Sequence, residues 1–306
     1  MISIGENIQI LSTKVNEAVK NGDAAFIQQM VKEQVEGGAD FIDLNIGRQK
    51  KRGVEIMGWI VDTVQEVSDA NLSLDTTNVA AMKEGLEHCN KQAMINSASA
   101  DPERLDPLMP LASEYNAKII ALTMGKEGIP TTADGRVQLA MEVIIPKAME
   151  LGIPMEDLYL DPLTLTVKGS QEHAMEVVNA VRFFKQVMDP APMTVVGLSN
   201  ISNTVPAENR SLINRTFLVM LLAAGLDAAI MDPLDKEQWE FVRIVEERDT
   251  STGLGQLLVN LYDATMAMEE LDPDLVDMSD PDQEAVFRTV RILEDKVIYA
   301  DSYLQV

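Results

Sequence analysis

The chain has 306 residues, 46% of them hydrophobic, which is enough apolar material for one large α/β domain. Its 49 acidic residues against 25 basic ones give a formal charge of −24, which argues against a phosphate-binding surface for nucleic acid or an anionic membrane. The single cysteine, Cys89, leaves no disulfide framework and no thiolate metal cluster. No apolar run approaches the ~18 residues of a membrane helix, so a cytoplasmic protein is expected.

The first predicted strand is Ile2–Gly5. A helix over Ala25–Val35 follows, closed by Gly37-Gly38 as a helix C-terminus prefers. Asp40–Ile46 is the second strand and Val54–Val67 the helix after it. Then come Leu72–Thr76 with Asn78–Cys89, Gln92–Asn96 with Glu103–Tyr115, and Lys118–Met124 with Arg136–Leu151. Leu158–Asp161 precedes a helix over Glu172–Met188. Met193–Asn200 is a β-branched, apolar run that reads as a fully buried parallel strand, with Ser199 and Asn200 at its end. Leu212–Ala224 and a last strand, Ala228–Asp232, complete the series.

Strict alternation predicts a parallel sheet, because each parallel connection must cross over and a helix does so. Eight units predict a closed (β/α)8 TIM barrel in a single domain over 1–306, with an open doubly wound sheet as the competitor. The residues at the strand ends are Glu6, Asn45, Asp75, Asn96, Thr123, Asp161, Asn200 and Asp232. In a barrel those ends converge on one mouth, where active sites sit. So many polar groups on one face call for a polar ligand. Asn78 and Asp134 read better as helix caps.

After Asp232 the rhythm breaks. The stretch 233–284 holds about 15 acidic against about three basic residues and precedes a predicted last helix, Ala285–Ile298. It is expected to be an acidic, partly helical insertion between strand 8 and helix 8, as a solvated decoration or dimer contact, or as a lid or docking surface. Leu254, Leu257, Leu258, Leu261 and Met268 fall on one helical face, and Asp272 to Asp282 reads as a solvated loop. Motifs for dinucleotides and for phosphate loops are absent, and His88 and His173 make no metal pair with Cys89, so no metal site is expected. The chemistry falls to carboxylates, amides and a bound cofactor.

Several stretches are familiar when taken together: Gly5-Glu-Asn7, Asp43-Leu-Asn-Ile-Gly47, Leu74-Asp-Thr-Thr-Asn78 and Ala93-Met-Ile-Asn-Ser97. Leu122-Thr-Met124, Pro154-Met-Glu-Asp-Leu-Tyr-Leu-Asp-Pro162, Val196-Gly-Leu-Ser-Asn200, Asn209-Arg-Ser-Leu-Ile-Asn-Arg-Thr-Phe217 and Gly225-Leu-Asp-Ala-Ala-Ile230 extend the set. In order and spacing they resemble the pterin-binding methyltransferases, above all the methyltetrahydrofolate:corrinoid/iron–sulfur protein methyltransferases, over residues 1–232 and 286–306. The resemblance implies a cytoplasmic homodimer that moves a methyl group between N5 of tetrahydrofolate and the cobalt of cobalamin carried by a separate corrinoid protein. It implies that Asp75, Asn96 and Asp161 hold the pyrimidine ring of the pterin and that Asn200 lies near N5. Asn203 and Arg210 match further ligand-contacting positions, and Asp75 is expected to orient a water for proton delivery.

This chain departs from the family pattern in places. Asn7 and Gln9 replace an arginine and an asparagine, the loop Ile201–Arg210 is longer, and the 233–284 stretch has no counterpart. No Asp-x-His-x-x-Gly cobalt-ligand motif occurs, so the corrinoid is external. The basic cluster Arg48, Lys50, Lys51 and Arg52 reads either as a solvated helix start or as an attractor for the carboxylates of a folate glutamate tail. Dihydropteroate synthase, with the same barrel and pocket, and a folate-binding protein without catalysis are the alternatives.

Overall fold

Strands rich in Ile, Leu, Val and Met carry no polar face, which suits burial on both sides. In the computed structural model, which describes residues 1–305, they close into one parallel barrel. The strands are β1 (Ile2–Gly5), β2 (Phe41–Gly47), β3 (Asn71–Thr76), β4 (Met94–Ser99), β5 (Lys118–Leu122), β6 (Leu158–Asp161), β7 (Met193–Gly197) and β8 (Ala228–Met231). Neighbours in sequence are neighbours in space, and Ile2 pairing with Ala228 closes the ring. Ile4, Phe41, Met94, Ile120, Tyr159, Val195 and Ala228 fill the barrel, so it is a packed core and not a pore.

Helices cover the outside: α1 (Thr13–Asn21), α2 (Ala24–Glu36), α3 (Gly53–Gln65), α4 (Val79–His88) and α5 (Pro102–Glu114). The next, α6, runs Ala133–Leu139, passes through a π-turn at Ala140–Ile144 and continues as Ile145–Glu150. Then follow α7 (His173–Phe184), α8 (Ala207–Ala223), α9 (Lys236–Glu247), α10 (Gly253–Ala267) and α11 (Pro281–Leu293). None is long and apolar enough to cross a membrane. Asn78 caps α4 through Ala80 and Ala81, as expected. The cap of α6 is Thr132, and Asp134 sits in its first turn.

Several readings of the sequence need correction. The strand predicted to run to Asn200 ends at Gly197, and Leu198–Ser202 forms a 3-10 turn that carries Asn200. The last helix stops at Leu293 and not at Ile298. Asp295 adopts a positive φ of 56°, and Gln171 binds Asp295, Val297 and the Tyr299 amide, pulling the tail against the loop after β6. Finally, the helix after β8 begins at Lys236, so only Asp232 to Asp235 separate the strand from its helix at the mouth. The charged outer face of α9 had hidden the buried set Phe241, Val242, Ile244 and Val245.

The extra residues therefore build a second helical layer and not a loop at the mouth. The cause lies in α8, whose Leu212, Ile213, Phe217, Leu218, Val219, Met220 and Leu221 are buried on every side. A helix without a polar face must be covered all round, and α9, α10 and α11 pack on its outer side. Leu257, Leu258 and Leu261 of α10 are buried there, but Met268 is 63% exposed because the helix ends before it in a left-handed cap. Asp272 to Asp282 is no plain loop, since Pro273–Leu275 forms a 3-10 turn and Asp280 caps α11 with Pro281 behind it.

Gly255 marks how closely this layer is folded, because a Cβ there would collide with the Asp249 carbonyl oxygen. Gly255→Ala should destabilise the protein by about 1–3 kcal/mol, read as a lowered denaturation midpoint. An unchanged midpoint would mean that the Asp249 turn yields freely.

Candidate functional site

Polar side chains gather at the C-terminal ends of the strands, and each is placed by strand register. Asn45 of β2 stands beside Asp75 of β3, and Asp75 beside Asn96 of β4. The Asn45 amide donates to Asp75, and its own oxygen accepts from the Gly47 amide at 3.1 Å. One layer deeper, Asp43 accepts from the Ser73 hydroxyl at 2.6 Å and from the Asn96 amide at 3.0 Å. Asp161, paired with Leu122, accepts from the Leu163 amide at 2.7 Å. Across the mouth, the Ser199 hydroxyl donates to Glu6, and the Asn7 amide donates to Asp232 at 2.9 Å.

Crowding acids into a low-dielectric mouth disfavours their charged forms. Burial pushes Asp161 up to about 7, against the Leu163 amide and the charge of Arg136. Burial also raises Glu6 to about 7, against the bond from Ser199 and with the charges of Asp232 and Asp43 adding to it. Asp43 rises to about 6 for the same first reason, opposed by Ser73 and Asn96. Asp75 is held well above the carboxylate range by burial and then by the neighbouring Asp43, with Asn45 opposing. Asp161, Glu6 and Asp43 are thus carboxyl groups poised to exchange protons near neutrality.

A cavity of about 490 Å³ opens beside β2 to β5, walled by Asp75, Asn96, Ser97, Ser99, Arg48 and Arg104, with Leu122 and Met124 as its apolar side. Two expected ligand residues, Asp75 and Asn96, therefore share one space. Asp161 is not in that wall, although its strand partner Leu122 is. Asn200 lies on the same barrel face in the turn after β7, exposed, with its side chain folded over Gly197. Among the described residues, Asp75 Oδ1, Asn96 Oδ1, Asp161 Oδ2 and the whole Asn200 amide make no hydrogen bond within the protein. Asn203 and Arg210 are not among the residues that wall this cavity. The Asn203 carbonyl accepts from Thr166 at 2.6 Å, and the Arg210 guanidinium donates to the Val205 carbonyl at 2.7 Å, so both brace the loop behind Asn200.

Sequence reasoning passed over three groups. Asp43 had a signal, since it and Asn45 are two residues apart in a buried strand and so share the inward face. Glu6 was visible as a strand end but not as a titrating acid. Arg104 offered one weak hint, a cation in the first turn of a helix, where the macrodipole disfavours it.

Comparison with known proteins agrees with this architecture. The sequence profile of the pterin binding enzyme family matches residues 12–232. The chain is 28% identical over 239 residues to a methylcorrinoid:tetrahydrofolate methyltransferase of Eubacterium limosum, covering 78% of this chain and 87% of that protein. It is 31% identical over 241 residues to a methionine synthase of Mycobacterium leprae (strain TN), covering 76% of this chain and 20% of that protein. The chain thus spans about a fifth of the length of the methionine synthases it matches. Among solved structures, Yersinia pestis DHPS with a pterine-sulfa conjugate superposes with a TM-score of 0.59 at 16% identity, covering 82% of this chain and 94% of that one. Clostridium difficile dihydropteroate synthase in the presence of pteroic acid superposes at 0.61 and 18% identity, covering 81% and 96%. At such identities these structures show a shared fold and nothing finer.

Proposed function

The chain belongs to the pterin binding enzyme family, and from that premise we propose that it moves a methyl group between N5 of tetrahydrofolate and a corrinoid held by a separate protein. The observation that carries this reading is the set of unused polar atoms on Asp75, Asn96, Asp161 and Asn200, all on one barrel face. A pterin presents an amino group, ring N–H groups and a carbonyl along one edge. Carboxylate acceptors and an amide that both donates and accepts satisfy that edge. The names of the two sequence relatives support methyl transfer over condensation, since the likeness to dihydropteroate synthases is one of fold.

The corrinoid supplies the cobalt centre that gives or accepts the methyl group. Both histidines of the chain already have partners within the protein. His88 is on α4 between Asp62 and Glu84, and His173 binds Arg136. The chain's own task is at N5. A tertiary amine leaves poorly unless it gains a proton or a strong hydrogen bond as the bond to carbon breaks. In this reading the Asn200 amide donates to N5 and strengthens that bond in the transition state. Asp75 orients the water that brings the proton, and the loop braced by Asn203 and Arg210 fixes Asn200. The same geometry serves transfer in either direction, and a homodimer fits the family.

Methyl exchange between methyltetrahydrofolate and reduced free cobalamin tests the proposal, with spectral conversion of the cobalamin as readout. Turnover is expected. Pterin binding without methyl exchange would identify a folate-binding protein, and condensation of a pterin pyrophosphate with aminobenzoate would identify a synthase.

A further inference from the structure

Acidic residues outnumber basic ones about two to one in this chain, yet one arc of the mouth carries two arginines on a single cavity wall. Arg48 follows β2 and Arg104 opens α5 after β4; both line the 490 Å³ cavity that holds Asp75 and Asn96. Among the described residues neither forms an ion pair. The Arg104 Nη1 donates to the Thr77 carbonyl at 2.8 Å, which fixes the guanidinium without neutralising it. Asp75, in the same cavity, takes its shift from burial, Asp43 and Asn45 and not from either arginine. Two guanidiniums without an acidic partner on one cavity wall, Arg104 half-buried and Arg48 exposed, make an anion subsite.

We infer that Arg48 and Arg104 bind the carboxylates of the glutamyl tail of a folate whose ring is held by Asp75 and Asn96. This deepens the pterin reading and rests on it. The structure also redistributes the basic cluster seen in the sequence. Arg52 is tied to Glu55 at 2.8 Å on α3, and Lys50 and Lys51 are exposed residues of the preceding turn, outside the cavity wall. They add charge near the rim, while the two arginines make the contact.

The chemistry gives a reason for such a subsite. Each added glutamate raises the negative charge of the ligand, and a protein of charge −24 repels it over a Debye length. A concave pair of guanidiniums reverses that sign locally, where bidentate bonds to carboxylates form. An acidic face on a partner protein is the competing occupant. The cavity wall that both arginines share with the ring-binding residues favours a tail attached to the ring.

Calorimetric titration with tetrahydropteroate, tetrahydropteroylmonoglutamate and tetrahydropteroyltriglutamate tests the inference at low and high salt. The wild-type protein should favour the triglutamate over the glutamate-free ligand by about tenfold or more at low salt, and less at high salt. In Arg48→Ala and in Arg104→Ala that preference should shrink, and in the double variant it should vanish. Arg104→Lys, which keeps the charge, should retain part of it, separating tail binding from the support of Thr77. Equal loss for all three ligands would place the arginines at the ring or in the fold and overturn the inference. Unchanged glutamate preference with slower transfer from the corrinoid protein would assign the arc to the partner and also overturn it. If the wild-type protein binds none of the three, the pterin reading itself falls, and this inference with it.

Discussion

Asn200→Ala should slow methyl transfer in a single turnover by about 100- to 1000-fold, the cost of ~2.7–4 kcal/mol that follows removal of one preorganised donor at a centre of developing charge. The expectation rests on three features of the turn after β7. The Asn200 amide has no hydrogen-bond partner in the protein, so no internal bond need break before it serves a ligand. Its carbonyl accepts from the Asn203 amide at 3.2 Å, and Arg210 secures Val205 two residues on, so the backbone beneath the amide is fixed. Gly197 lies directly under the side chain, where a Cβ would come within 2.8 Å of Asn200 Nδ2. Gly197→Ala should therefore displace the amide and slow the reaction while leaving Asn200 in place. A rate and a pterin affinity both near wild type in Asn200→Ala would remove the residue from the mechanism.

Much of this site was readable because a parallel barrel enforces simple rules. Strands buried on both faces must be apolar, so Asp75, Asn96 and Asp161 stand out against Leu74, Ile95 and Leu160. Sequential pairing then brings neighbours together without any long-range inference. What escaped reading obeys subtler physics. A β-branched run does not announce where it leaves the sheet, so Leu198–Asn200 reads as strand although it opens a 3-10 turn. The dense charges of 233–284 suggested a solvated insertion, yet charge on one face of a helix says nothing of the other. The strongest clue lay outside that stretch, in the apolar circumference of α8, which cannot face water. The arginines of the cavity come from two separate connections, and only the closed barrel places Arg48 and Arg104 in one recess.

Asp161→Asn should weaken pterin binding by about 100-fold and flatten its dependence on pH. A carboxylate accepts hydrogen bonds from both the amino group and the ring N–H of the pterin edge, each worth about 1.5–3 kcal/mol when one partner is charged. The asparagine amide would set its own N–H against one of those donors. The pH dependence follows from burial. The Asp161 carboxyl titrates at about 7 instead of its ordinary 3.8. Below 3.8 it is protonated in the folded and unfolded chain alike. Between the two values only the folded chain holds the proton, so this group stabilises the fold at low pH. That contribution is lost as pH rises through about 7. Binding runs the other way, because a pterin offering two donors needs the ionised acid and must expel the proton below about 7. Affinity should therefore fall by about tenfold for each pH unit below that point, with a matching proton release in buffers of different ionisation enthalpy. Glu6, raised to about 7 by the same burial, stays in place in the variant. An Asp161→Asn protein that keeps the full pH slope would therefore assign the proton to another of the raised acids, Glu6, Asp43 or Asp75, and take Asp161 out of ring recognition.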